Sequence, residues 1–262
     1  MADSTLKKIL SCSRQKMILL LPILFLLLHL PLLYLNCLPC NDTALRYAPM
    51  AEAFANGNFA CAFHPRFGLF FPIWSGCTAF ITQLDGFRSC QIASLLLFIL
   101  TAYPIYGIAC KLFDRITACR AMLLYLLSSH LLRTAVEGLR EPGKALGFML
   151  AVYGVLSVYT RQERYAGYFL TACGCAILTT IRGDGALIAL ILFIWMVVLE
   201  IRHSGIKFYR SLLAGLVLFL LITPQLVYVC KLTGYPVPDV RCSMLLKKLN
   251  VPVLTTPDLE LP

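Results

Sequence analysis

The chain has 262 residues, of which 59% are hydrophobic and 14% charged, with a mean hydropathy of +0.78, whereas soluble domains carry about 25% charged residues. Several apolar runs approach or exceed the roughly 18 residues that mark a membrane helix, which excludes a soluble fold. The net charge of +10 is what Lys and Arg gathered in cytoplasmic loops and headgroup zones produce, so no nucleic-acid partner is read from it.

Residues 1–16 carry Lys7, Lys8, Arg14 and Lys16 and read as a cytoplasmic N-terminus. The run from Met17 to Leu35 is longer than a signal-peptide core and has no small-residue cleavage site after it. It is therefore a retained first helix, whose Pro22 and Pro31 a membrane helix tolerates. Further apolar stretches lie near residues 67–82, 90–110, 117–132, 144–159, 166–181, 185–200 and 211–230. The pattern predicts an all-α, multi-pass integral membrane protein with a bundle of about seven or eight spans. Its transmembrane domain covers 17–230, with a first outer loop at 36–66 carrying short amphipathic helices. Residues 231–262 form an outer-face tail that reads as a truncated loop.

Charge orients the loops. Arg161-Gln-Glu-Arg164 and Arg202 to Arg210 are basic and belong in the cytoplasm by the positive-inside rule. The turns Leu139 to Gly143 and Arg182 to Gly185 then share the outer face with residues 36–66. Three apolar stretches separate that first loop from Arg140-Glu141, one too many for a return to the same side. The stretch after Arg66 is the suspect, because it is short and holds Pro72 and Gly76. It is expected to be re-entrant, to lie flat or to merge with a neighbour.

In the first outer loop, Asn41, Asp42 and Thr43 are all helix N-cap types. Tyr47, Ala51 and Phe54 follow at i, i+4 and i+7, one helical face. Pro49 divides this pattern into two short pieces, and Gly57 is a stop signal. A carboxylate just outside the first span faces water, a partner or a substrate, so Asp42 reads either as a helix cap or as a general base. Further on, His130, Arg133, Glu137, Arg140 and Glu141 have spacings that place them on one helical face. Glu137 and Glu141 there share a proton or metal, or pair with the arginines, which is the commoner outcome. Arg182 and Asp184 form a third polar patch. Arg66, Arg140 and Arg182 together would make a cationic pocket suited to phosphate, because a guanidinium donates two parallel hydrogen bonds.

Twelve cysteines are present, mostly in or beside apolar runs, where they act as small hydrophobes. Cys37, Cys40 and Cys61 fall in the outer loop, short of the four ligands of a structural zinc site.

These motifs, in this order, resemble the membrane-embedded glycosyltransferases of the GT-C type. The likeness is to dolichyl-phosphate-mannose-protein mannosyltransferases and to bacterial lipid A aminoarabinose and galacturonic acid transferases. It rests on Asp42 after the first helix, Tyr47, Ala51-Glu52-Ala53-Phe54, Gly57-Asn58-Phe59, then His64-Pro65-Arg66-Phe67, Glu141-Pro142, and Leu178-Thr-Thr-Ile-Arg182-Gly-Asp184-Gly. It runs from about residue 15 to about residue 230. Thr43 stands where many relatives have a second acidic residue, and His-Pro-Arg-Phe replaces their Lys-Pro-Pro-Leu type motif.

The resemblance implies a transferase at the outer (periplasmic or luminal) face of the plasma (inner) membrane. The donor would be a polyprenyl-phosphate-linked sugar and the acceptor a lipid, glycan or protein, with membrane lipids around them. Asp42 would be the general base. Tyr47, His64, Arg66, Arg140, Glu141, Arg182 and Asp184 would bind substrate, the arginines facing the leaving lipid phosphate. No metal ligand is assigned; metal use differs within the superfamily, and a divalent cation held near Glu141 is compatible with it. Two other readings share the composition: a truncated or non-catalytic assembly partner of such an enzyme, and a lipid or sugar transporter, for which paired inverted repeats are missing.

Overall fold

The computed structural model describes residues 20–31, 33, 35, 40–64, 67–160, 164–204 and 209–248, and every element among them is helical. In chain order these are α1 (Leu20–Pro31), a π-helical turn (Thr43–Tyr47), α2 (Ala48–Ala55), α3 (Phe59–Ala62), α4 (Phe70–Thr82), α5 (Gly86–Leu112), α6 (Arg115–Leu126) and α7 (Ser129–Val136). They continue with α8 (Glu141–Tyr159), α9 (Arg164–Ile181), α10 (Gly183–Ser204), α11 (Tyr209–Thr233) and α12 (Val240–Lys248). Four helices, α5, α8, α10 and α11, are long and apolar enough to cross a membrane, while α1, α4 and α9 are apolar but shorter. The large apolar residues left exposed on α10 and α11, among them Leu187, Ile191, Trp195, Leu212, Leu216 and Phe219, fit a surface solvated by lipid rather than water.

The long helices run alternately between two ends of the bundle. Leu33, beyond α1, accepts a hydrogen bond from the Arg88 guanidinium near the start of α5, and Phe25 meets Phe98 at 6.3 Å; α1 and α5 are thus antiparallel. The chain returns along α6 and α7, with the Tyr125 ring stacked on Phe98 at 4.8 Å. Helices α8 and α9 form the closest pair. A Cβ on Gly174 would stand 2.4 Å from the Ala151 backbone nitrogen, so this seam needs small residues, as membrane helix pairs often do. At the far end, Glu200 of α10 accepts from the Ser211 amide in the first turn of α11 at 2.7 Å.

The apolar stretch near 117–132 is not one continuous helix: Leu127 and Ser128 separate α6 from α7, and Ser128 occupies the N-cap of α7. The suspicion about the stretch after Arg66 fits what the structure shows. Phe71 of α4 packs on Tyr47 at 5.2 Å, Gly76 is closed over by the Phe54 ring, and beyond the end of α4 the Gly86 amide donates to Glu52 at 2.8 Å. Both ends of α4 therefore lie against the same short stretch of π turn and α2, together only about 18 Å long. α4 runs beside the first loop and does not carry the chain to the opposite end.

Candidate functional site

The end of the bundle holding the first loop is built on the turn between α7 and α8. Gly138 has φ +72. Its amide donates to Ala135, and the Leu139 amide reaches back to Thr134, both at 3.1 Å, the paired bonds of a Schellman stop. A helix end leaves carbonyls unpaired, and three side chains from elsewhere cover these: Gln91 donates to Val136 at 2.7 Å, Thr43 to Glu137 at 2.7 Å, and Ser94 to Leu139. Gln91, Ser94 and Thr43 are fully buried. The first loop, α5 and the α7–α8 turn are thereby locked together, which fixes where Arg140 and Glu141 emerge.

This turn corrects one expectation. Arg133 and Glu137 precede the Gly138 break, whereas Arg140 and Glu141 follow it, so the five polar residues do not share one helical face. Glu137 pairs with Arg133 at 2.7 Å, and Glu141 stands in the first turn of α8, where a negative charge complements the helix dipole.

Arg140 is the centre of the site. Its Nη1 donates to the Ile181 carbonyl at the end of α9, 3.2 Å away. Its guanidinium lies 5.6 Å from the Phe67 ring centre and 5.8 Å from that of Tyr47. Its Nε is buried and has no hydrogen-bond acceptor among the described residues. Arg46 approaches the same Phe67 ring at 5.3 Å and pairs with Asp42 at 2.7 Å, both side chains about half exposed. Asp42 makes no capping bond with its side chain; the expected cap is replaced by this ion pair.

Tyr47 is 3% exposed, wedged edge-on against Phe67 and Phe71. Burial pushes its phenol up to about 12; Arg140 opposes that shift, while the carboxylates of Glu141 and Asp42 add to it. Beyond Ile181 the chain turns through Arg182 into α10. Asp184 there is held by Lys144 at 2.9 Å and by Arg182 at 3.1 Å, although the Arg182 Nε is not aligned for a hydrogen bond. Gly183 sits under Asp239, whose carboxylate would lie 2.3 Å from any Cβ at that position.

The structure thus brings Asp42, Tyr47, Arg140, Glu141, Arg182 and Asp184 to one end of the bundle. His64 lies there as well, exposed, its ring 5.1 Å from Phe67. Arg66 falls outside the described residues; of the other two arginines, Arg140 engages the Ile181 carbonyl and Arg182 the Asp184 carboxylate. Sequence reading missed Arg46, Lys144, Phe67 and the anchoring role of Thr43. Arg46 was detectable as the i+4 partner of Asp42, and Lys144 as the residue one turn after Arg140. Among the described residues, no three His, Cys, Asp or Glu side chains converge as a metal site. Cys40 and Cys61 are free thiols, and Cys37 lies outside the described residues. Comparison with protein families, with curated proteins and with solved structures finds no match.

Proposed function

We propose that the chain is a membrane-embedded glycosyltransferase of the GT-C type, moving a sugar from a polyprenyl-phosphate carrier to an acceptor at the outer membrane face. The observation that carries the reading is the gathering of Asp42, Tyr47, Arg140, Glu141, Arg182 and Asp184 from three separate parts of the chain around the Arg140 hub. Asp42, Tyr47, Glu141, Arg182 and Asp184 belong to the motifs on which the resemblance rests. In this reading seven passes (α1, α5, α6 with α7, α8, α9, α10 and α11) cross the membrane, the N-terminus is cytoplasmic, and the basic linkers face the cytoplasm.

Asp42 takes the proton of the acceptor hydroxyl as its oxygen attacks the anomeric carbon, and the bond from that carbon to the carrier phosphate breaks. A positioned base of this kind contributes about 10² to 10⁴ in rate. The carrier phosphate leaves as an anion, and cations fixed beforehand stabilise that charge without reorganising. Arg140, whose buried Nε finds no acceptor among the described residues, and Arg182 would take this part. Arg46 pairs with the Asp42 carboxylate and holds it in place until acceptor arrives.

The half-exposed Asp42–Arg46 pair supports a second reading, a non-catalytic assembly partner in which Asp42 is only a surface charge. The test is deletion of the gene in its source organism and complementation with wild type or Asp42→Asn, with surface glycans compared by mass spectrometry at equal protein level. Restoration by wild type alone supports the transferase. Equal restoration by both makes Asp42 dispensable and favours the partner.

A further inference from the structure

At the opposite end of the bundle, a groove of about 170 Å³ opens between the first turns of α9 and α11. Its wall is apolar, formed by Phe169, Leu213, Ala214 and Val217, and its mouth holds Tyr165 and Arg210. The Arg210 guanidinium lies 5.1 Å from the Tyr165 ring centre and 5.3 Å from that of Tyr209. Its Nε donates to the Tyr209 hydroxyl at 3.2 Å, and the two tyrosine hydroxyls stand 3.4 Å apart. The cation is therefore fixed at the mouth, and among the described residues it forms no ion pair. The nearby carboxylate, Glu200, is 1% exposed and directs one oxygen to the Ser211 amide.

A cation flanked by Tyr165, Tyr168 and Tyr209 above an apolar slot matches one kind of ligand. The head must be anionic and must accept hydrogen bonds, and the remainder must be apolar. The groove leads onto the exposed apolar face of α11, where Leu213, Leu216, Phe219 and Leu220 are each more than half exposed, so a chain lying in it continues into the surrounding hydrocarbon. Tyrosine and arginine are residues of the membrane interface, and basic pockets between membrane helices hold phosphate-bearing headgroups.

We propose that the α9–α11 groove is a binding site for an anionic phospholipid, with its phosphate on Arg210 and the tyrosine hydroxyls and an acyl chain along Phe169, Leu213 and Val217. The site is independent of the chemistry at the Arg140 end, and its test does not read transferase activity.

The test is lipid titration of the purified full chain in detergent, read by native mass spectrometry. The probes are dioleoylphosphatidylglycerol, dioleoylphosphatidylcholine and inorganic phosphate. One basic contact near a membrane surface corresponds to about a fivefold preference for the anionic lipid. Arg210→Gln brings that preference close to one, Arg210→Lys keeps most of it, and Leu213→Trp weakens both lipids by narrowing the slot. Excess inorganic phosphate leaves the lipid bound. Equal affinity of wild type for the two lipids overturns the proposal without any variant. So does an undiminished preference in Arg210→Gln, or unchanged binding of both lipids in Leu213→Trp. Displacement by inorganic phosphate at concentrations comparable to the lipid overturns it in favour of a free-anion site.

Discussion

Thr43 donates its hydroxyl to the carbonyl of Glu137 at 2.7 Å, across 94 residues of sequence. It is the residue after Asp42, and it is fully buried. The bond ties the start of the first loop to the end of α7 and so sets the separation of Asp42 from Arg140. Thr43→Val keeps the shape but leaves the Glu137 carbonyl unpaired, at a cost of about 1–3 kcal/mol. Thermal unfolding in detergent is expected to show that loss for Val and recovery of most of it for Ser. Equal stability of wild type and the Val variant would show that the bond contributes nothing.

Gly174 is the tightest point of the α8–α9 seam. Gly174→Val must push the two backbones apart, and overpacking of this kind costs at least about 2 kcal/mol. Because the seam carries Arg140 to Ile181, the variant is expected to lose heat resistance and, in any assay of transfer, activity as well. Heating followed by size-exclusion chromatography reads the first effect directly; an unchanged elution profile would contradict the close packing.

Tyr47 makes stability depend on pH in the alkaline range. Its phenol is raised from about 10 to about 12 in the folded chain, so the folded state holds its proton after the unfolded state has released it. The contribution is fully present below pH 10 and is lost as pH rises towards 12. Two pKa units correspond to a loss on the order of 3 kcal/mol. Tyr47→Phe is expected to flatten the decline between pH 9.5 and 11.5, as followed by chemical unfolding at each pH; parallel curves for the two proteins would refute it.

Arg46→Gln separates the structural from the chemical role of the Asp42 pair. An exposed ion pair is worth about 0–1 kcal/mol, so unfolding is expected to change little. Transfer activity, where present, falls, because the Asp42 carboxylate loses the partner that fixes its position. Transfer at the wild-type rate would remove Arg46 from the mechanism.

Much of this architecture was legible in the residues. Apolar runs marked the long helices, because lipid exposure leaves no polar face to confuse the pattern, as on α10 and α11. Gly57 ends the first-loop helix as its positive φ allows, whereas Pro49, expected to divide it, sits in the first turn of α2, which the π turn continues without a break. The even-crossing argument singled out the stretch after Arg66, and α4 does lie beside the first loop. The continuous polar face from His130 to Glu141 was misread because a single glycine, Gly138, stops the helix, and helical spacing carries no information across such a break. The covering of that turn by Thr43, Gln91 and Ser94 was not legible either. A buried hydroxyl or amide looks like any other polar residue until the chain has brought its acceptor near.

The sideways course of α4 has one more consequence. In the proposed seven-pass reading, which leaves that helix out of the count, the start of α1 and Asp239 at the head of α12, packed on Gly183, belong to opposite ends of the bundle. A fluorescent reporter fused ahead of Leu20 and one fused after Lys248 would then sit in different compartments, whichever way the protein is inserted. A partner that engages both ends at once would have to span the bilayer itself.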